Sequence, residues 1–492
     1  MPRFFAHSLA FIAVITCLVS CGGGSSSSST TAGIDGSGAP ATPITVAVAG
    51  PINGFGSVII NGVHYGTHNT TITVNGQPSS EAGLNVGSYI TLTGTLNADG
   101  KTGTATHINY QPNVTGSIAQ VNSVTQTVTI LGQTVQVSDD TAFDFAISPR
   151  SIDGLKPGQQ VEISGSSDAS GVIMATRISL ASAHSGCLTG KLSRLDTQAK
   201  TFQVNQVTVS YAGLSGAPEL HDGEEIILRN FDTDGERLRA KSLEVKIEDQ
   251  ASTRVKYFSK TGVITRFTSP TDFALGDIPV TTTSATQYLN GDATGLALNA
   301  KATISGHFTA DKRLQADQIQ WLATAQWGLA GPITQIDGLT NSGGRIQVQD
   351  TWITLNARTR VDSELSTESN RLKFGNLRVG DQVVVSGRAE GAIYLAATLE
   401  LEALTMPESP QHLRGPVTNI DAAALRFKLL NIQVTTDSKT EFFNGERRIT
   451  AEEFYRVAAN KIVIVDGKLM GNLCHATRVR FLSPSDDSDR GR

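Results

Sequence analysis

The chain has 492 residues, a net charge of −5, 48 glycines and only 6% aromatic residues. That length exceeds what one hydrophobic core supports and calls for several domains. Charged residues make up 17%, below the roughly 25% usual for soluble domains, and Lys and Arg are scattered, so there is no electrostatic footprint for nucleic acid and no nucleic-acid partner is expected.

The first residues read as an export signal. Arg3 precedes a mostly apolar run from Phe4 to Val19, which ends in Leu18-Val19-Ser20-Cys21. A short positive start, an apolar run of this length and a small residue before the cleavage point define a secretory signal over 1–20. Leu-x-Ser-Cys resembles the bacterial lipobox, and that resemblance implies lipidation of Cys21 and attachment to a lipid membrane through it. Residue 22 is Gly, not Asp, which by resemblance to enterobacterial sorting points to the outer membrane of a bacterial cell envelope, on its periplasmic or surface face. Residues 21–49 are rich in Gly, Ser, Thr, Ala and Pro and cannot bury a core. They read as a flexible tether spanning roughly 30 Å.

Beyond the tether one unit recurs six times. Its signature is Leu, Gly three residues on, apolar residues three and five after that Gly, and a second Gly at seven. The copies begin at Leu84, Leu155, Leu220, Leu296, Leu377 and Val457. The first turn position holds Gly87, Gly158, Gly223, Asn299, Gly380 and Asn460, and the last holds Gly94, Gly165, Asn230, Gly306, Gly387 and Gly467. Every substitute is Asn, the non-Gly residue that best tolerates left-handed φ, so the backbone conformation is what these turns need.

A second signature, Ala then an aliphatic residue three on, follows each first one at Ala105, Ala175, Ala240, Ala316, Ala396 and Ala476. Turn formers such as Asp99-Gly100 lie between the two, which makes a hairpin. The small alanine implies close approach of another strand. The later units open with Gly116, Gly190, Gly262, Gly331 and Gly415, followed by a pattern such as Phe202-x-Val204-x-x-Val207-x-Val209, also a hairpin. About five short strands in each unit, apolar on one face, bury that face most simply by curling into a barrel.

The expected fold is therefore all-β, a tandem array of about six small antiparallel, OB-like β-barrels after the lipoprotein signal and tether. The domains are 50–113, 114–184, 185–255, 256–328, 329–410 and 411–482, with a disordered polar tail over 483–492. Short joints predict a semi-rigid, extended rod. One helix is expected, at Thr450–Val457, where Thr450 and Glu453 form a capping box.

The first copy begins Asn53-Gly-Phe-Gly-Ser-Val-Ile-Ile-Asn-Gly-Val63. With the Gly87, Gly94 and Ala105 signatures, this resembles the bacterial domain-of-unknown-function family 5666, which occurs as tandem copies in exported lipoproteins. The resemblance spans nearly the whole mature chain, with copies three and six departing most. It implies no activity and no catalytic residues.

No chemistry assembles from the residues. Gly50–Ser57 is glycine-rich but lacks the lysine of a phosphate loop and opens a strand. His64 and His68 have no third ligand nearby in sequence. His184-x-x-Cys187 and Cys474-His475 lie in different copies, without the spacing of a zinc finger; whether Cys187 and Cys474 pair is open. Asp232-Thr-Asp234-Gly235 opens like a calcium loop but lacks its glutamate, while Asp139-Asp140 and Asp486-Asp487 read as a solvated turn and tail. No metal and no cofactor are expected. Among the aromatics Trp321 reads as core, Trp352 as part of a strand, and Trp327 and Tyr65 as candidate exposed contacts. The expectation is a non-enzymatic, lipid-anchored envelope scaffold or spacer with an envelope protein partner; the alternative is binding of an envelope polymer (glycan) by the array. If one specific site exists, it belongs where a copy departs from the rest: the Gly-Phe-Gly-Ser opening or the helix of copy six.

Overall fold

In a computed structural model, the described residues are 43–481 apart from 183–185, 235–236, 247–254, 323–324, 364–370, 391–392, 403–410, 431, 446 and 471. The signal, Cys21, most of the tether, His184, Gly235 and the polar tail lie outside them. Strand is the dominant structure of the described residues, and the one α-helix among them is Ala451–Val457.

Unit one sets the pattern. Its strands are β1 (Ile44–Gly54), β2 (Val58–Ile60), β3 (Val63–Gly66), β4 (Thr71–Val74), β5 (Gln77–Ser79), β6 (Tyr89–Leu96) and β7 (Thr102–Tyr110). β1 pairs antiparallel with β2 and β6, β2 with β3, and β6 with β7, while β3 runs parallel to β7. The five main strands thus close in the order β1-β2-β3-β7-β6-β1. This is an OB-like barrel with one parallel pair, made possible by the long crossover between β3 and β6. That crossover carries β4, β5 and a single 3-10 turn, Glu81–Gly83. β1 begins at Ile44, and Val46–Ala49 are buried. Residues 44–49, placed in the tether from composition, are thus the first half of a barrel strand; Val and Ala in alternation override the neighbouring Thr and Pro.

The same closure recurs five more times, beginning at Val114, Cys187, Tyr257, Trp327 and Gln411. The backbone explains the signatures. Gly87, Gly158, Gly223, Asn299, Gly380 and Asn460 all have left-handed φ, between 60° and 97°. Each donates its N–H to the carbonyl of an aliphatic residue in its unit's opening strand: Ile52, Ile118, Leu192, Ile264, Ile333 and Val417, at 2.8–2.9 Å. The closing glycines have a different reason. Gly94, Gly165, Gly306, Gly387 and Gly467 sit at β-bulges opposite Ala105, Ala175, Ala316, Ala396 and Ala476. A Cβ on Gly94 would overlap the Thr104 carbonyl oxygen. Only Asn230, in unit three, reaches its position with left-handed φ, at 55°.

The alanine carbonyls carry a further repeated feature. Thr70, Thr141, Thr286, Thr359 and Thr440 each donate a hydroxyl hydrogen bond to the Ala105, Ala175, Ala316, Ala396 and Ala476 carbonyl, at 2.7–2.9 Å. The last four hydroxyls also accept from the backbone N–H three residues earlier. Each threonine locks the start of the crossover onto the barrel wall. The sequence signal is Thr-x-apolar just before the short crossover strand, which sequence reading missed. Unit three has neither this threonine nor that strand.

The units do not follow one another as a rod. The opening strand of unit one pairs in parallel with that of unit four, Val46↔Tyr257 to Ala49↔Lys260. Units two and three join through Val114–Thr115 and Cys187–Leu188, and units five and six through Gly328 and Arg414. Three composite sheets result. Units two and three share one buried core, as do five and six, whereas units one and four have distinct cores, that of unit four taking in Ala47 from the opening strand of unit one. Contacts then cross between the pairs. Tyr110 donates to Glu162 at 2.6 Å, and Arg177 of unit two donates to the Val86 carbonyl of unit one at 2.9 Å. Arg150 pairs with Glu400 and Glu402 of unit five. The expected extended rod is therefore corrected to a body in which distant units interlock. A barrel of this size buries a small core alone, and shared sheets and cores enlarge it.

Candidate functional site

The Gly-Phe-Gly-Ser opening of unit one lines a small recess. β1 ends at Gly54, the chain turns through Phe55-Gly56-Ser57, and β2 and β3 form a tight hairpin about Asn61-Gly62, both with positive φ as a two-residue Asn-Gly turn demands. Phe55 is buried, and the Arg371 guanidinium lies 3.5 Å from its ring centroid. Arg371 also donates to the carbonyls of Glu81 at 2.7 Å and Leu84 at 2.9 Å. Gly56 has φ +114°, and a Cβ there would meet Lys373 Cε at 2.7 Å; one on Gly62 would meet the Arg358 side chain at 2.8 Å. Asn61 binds the Ser259 hydroxyl at 2.9 Å and accepts from Thr261 at 2.8 Å. The motif's glycines thus admit the side chains of unit five, and its asparagine clasps unit four.

Inside this junction Ser57 Oγ lies 3.3 Å from His64 Nδ1. Burial lowers the His64 pKa, favouring the neutral imidazole. A serine beside a neutral imidazole is the start of a nucleophilic pair, but among the described residues no acid orients the ring. The cavity, lined by Phe55, His64, Val361, Leu372 and Phe374, holds about 40 Å³, room for water rather than an acyl substrate. His68 is exposed, and no cluster of three His, Cys, Asp or Glu suited to a metal occurs among the described residues.

Other sequence candidates fall elsewhere. Trp327 is 1% exposed and packs edge-on against Tyr394, at 5.6 Å between centroids. Tyr65 is 2% exposed. Neither is the surface contact expected, because each faces inward where its strand alternates. Trp321 is core as expected, its indole donating to the Asp292 carbonyl at 2.9 Å. Cys187 and Cys474 are free, buried thiols, each pushed up to about 11 by burial. Asp232 and Asp234 are paired with Lys241 and Arg239 across their hairpin. The helix of unit six is a plug: Thr450 caps it by accepting from the Glu453 N–H at 3.1 Å, and Phe454 packs among Phe427, Phe442 and Phe481.

Five stretches of the chain, 46–109, 115–179, 261–320, 330–400 and 414–480, match one family, described as a domain of unknown function, DUF5666. The chain belongs to this family. The five DUF5666 stretches are the five units with the threonine lock; unit three, which lacks it, keeps the barrel without matching. No curated protein matches the chain. Among solved structures, one titled Drosophila Unr CSD456 is 16% identical, covering 40% of this chain and 88% of its own, with a TM-score of 0.11. A multidomain protein with nucleic acid binding domains from Streptococcus pneumoniae TIGR4 is 15% identical, covering 45% and 74%, with a TM-score of 0.12. A structure titled for nucleic acid binding thus stands among the matches, and the expectation that excluded a nucleic-acid partner is withdrawn. At these TM-scores the likeness carries no argument about what this chain binds.

Proposed function

We propose that this DUF5666 protein is a non-enzymatic, lipid-anchored scaffold of the bacterial cell envelope, held at the outer membrane through Cys21. The observation that carries this reading is Leu18-Val-Ser-Cys21, followed directly by a Gly/Ser-rich stretch. Acyl chains contribute about 0.8 kcal/mol for each buried CH₂, so several chains on one cysteine anchor the protein firmly. The repeated residues support a scaffold. Gly, Val and Ala recur because they turn and close each barrel, Thr because it locks five of the six, and the other polar positions vary between copies. The interlocked units support a body standing off the bilayer on its tether, rather than a rod. Labelling with palmitate tests the anchor: the wild-type chain takes the label into the membrane fraction, and Cys21→Ser loses both label and sedimentation with membranes. Label retained by Cys21→Ser overturns the proposal.

A further inference from the structure

In unit five, strands Gly343–Val348 and Thr351–Asn356 form a hairpin. Alternation buries Ile346, Val348, Ile353 and Leu355 and turns Arg345, Gln347, Trp352 and Thr354 outward. Trp352 stands opposite Gln347. The corresponding register position of the other five units holds His64, Thr134, Thr208, Pro279 and Gln433. The barrel therefore closes with small or polar residues there, and an indole is not a requirement of the fold. Trp352 is nonetheless 36% exposed, on an open sheet face. Trp352 and Ile393, the latter 54% exposed, each immediately precede the paired residues Ile353 and Tyr394 of neighbouring strands.

The surroundings of the ring define its ligand. The Arg345 guanidinium sits 5.3 Å from the ring centroid and is ion-paired with Asp337 across the sheet. That pairing balances the charge of the face, so recognition rests on stacking and hydrogen bonding. Gln347 and Gln335 add carboxamides, which both donate and accept. Thr334 already donates to Gln347 at 3.1 Å, which fixes its amide. An aromatic plane bordered by planar polar side chains matches a sugar ring, which offers a C–H face to the indole and hydroxyls to the amides.

We propose that this face, centred on Trp352, binds a neutral polysaccharide chain. The proposal goes beyond the anchor and stands independently of it, since loss of the Cys21 label would leave the face unchanged. The test is calorimetric titration of the full-length chain with cellohexaose, chitohexaose and, as a separate arm, an oligothymidylate. The expected result is saturable binding of a hexasaccharide, weakened at least about tenfold by Trp352→Ala and within about threefold of wild type in Trp352→Phe. Trp352→Thr places at this position the residue that units two and three carry, so it folds, and it loses binding as Trp352→Ala does. Gln347→Ala gives a second loss that leaves the indole in place. No binding of either hexasaccharide, binding indifferent to Trp352→Ala and Trp352→Thr, or Trp352-dependent binding of the oligothymidylate alone would each overturn the proposal.

Discussion

The threonine lock makes a quantitative prediction. In unit five, Thr359 is 1% exposed. Its hydroxyl donates to the Ala396 carbonyl at 2.9 Å and accepts from the Asn356 N–H at 3.1 Å. Thr359→Val keeps the shape, removes both bonds and leaves a buried carbonyl and amide without this partner. Each lost bond costs about 1 kcal/mol net, more where the abandoned group stays dry, so the unit should lose about 2–3 kcal/mol. Thr359→Ser keeps the hydroxyl and deletes one methyl, at a cost of about 1 kcal/mol. Trp327 lies in the core of unit five and Trp321 in that of unit four, so urea unfolding followed by tryptophan fluorescence in a Trp321→Phe background reads unit five. The reasoning is refuted if Thr359→Val lies within about 0.5 kcal/mol of wild type, or if the serine variant is the less stable of the two.

Three other outcomes follow from the backbone and the buried ionisable groups. Asn460 has φ +60°; Asn460→Gly should be nearly neutral and Asn460→Ala should cost about 1 kcal/mol in thermal or chemical unfolding, and equal effects would deny the backbone account. Burial raises Asp362 to about 6, with Arg177 at 3.9 Å opposing the shift. Its folded pKa exceeds the unfolded value, so its favourable contribution is fully present below about pH 3.9 and is lost as pH rises through about 6. Asp362→Asn should therefore stabilise the protein at pH 7.5 relative to wild type and flatten stability between pH 4 and 7, as read by thermal unfolding across that range; an unchanged slope would remove Asp362 from the account. Cys187 and Cys474, buried and pushed up to about 11, should resist iodoacetamide at pH 8 in the native protein and react in urea, as mass spectrometry would show; prompt native alkylation would contradict their burial.

The candidate site shows how a sequence signal changes meaning in three dimensions. The stretch Gly54-Phe-Gly-Ser57 is legible as a departure from the other copies, but not as a seat for Lys373 against Gly56 and Arg371 over Phe55, which lie some three hundred positions away in the chain. Trp327, expected as an exposed contact, is core for a simpler reason. A one-residue difference in strand phase decides which face a side chain takes, and Trp327 falls on the inward phase of a joint that composition alone made look exposed.

The sequence by itself determined the unit: its six-fold recurrence, its barrel class, its left-handed turns and the capped helix. Those features depend on contacts within about seventy residues, and local backbone needs write themselves into Gly, Asn and alternating Val and Ile. Only the tertiary structure decided how the units join. Opening strands present free edges that any other opening strand can pair with, and backbone hydrogen bonds carry no side-chain label. Unit one therefore pairs with unit four, across two intervening barrels, through a choice made by shape and by scattered polar contacts such as Asn61 with Ser259, which no repeat pattern records.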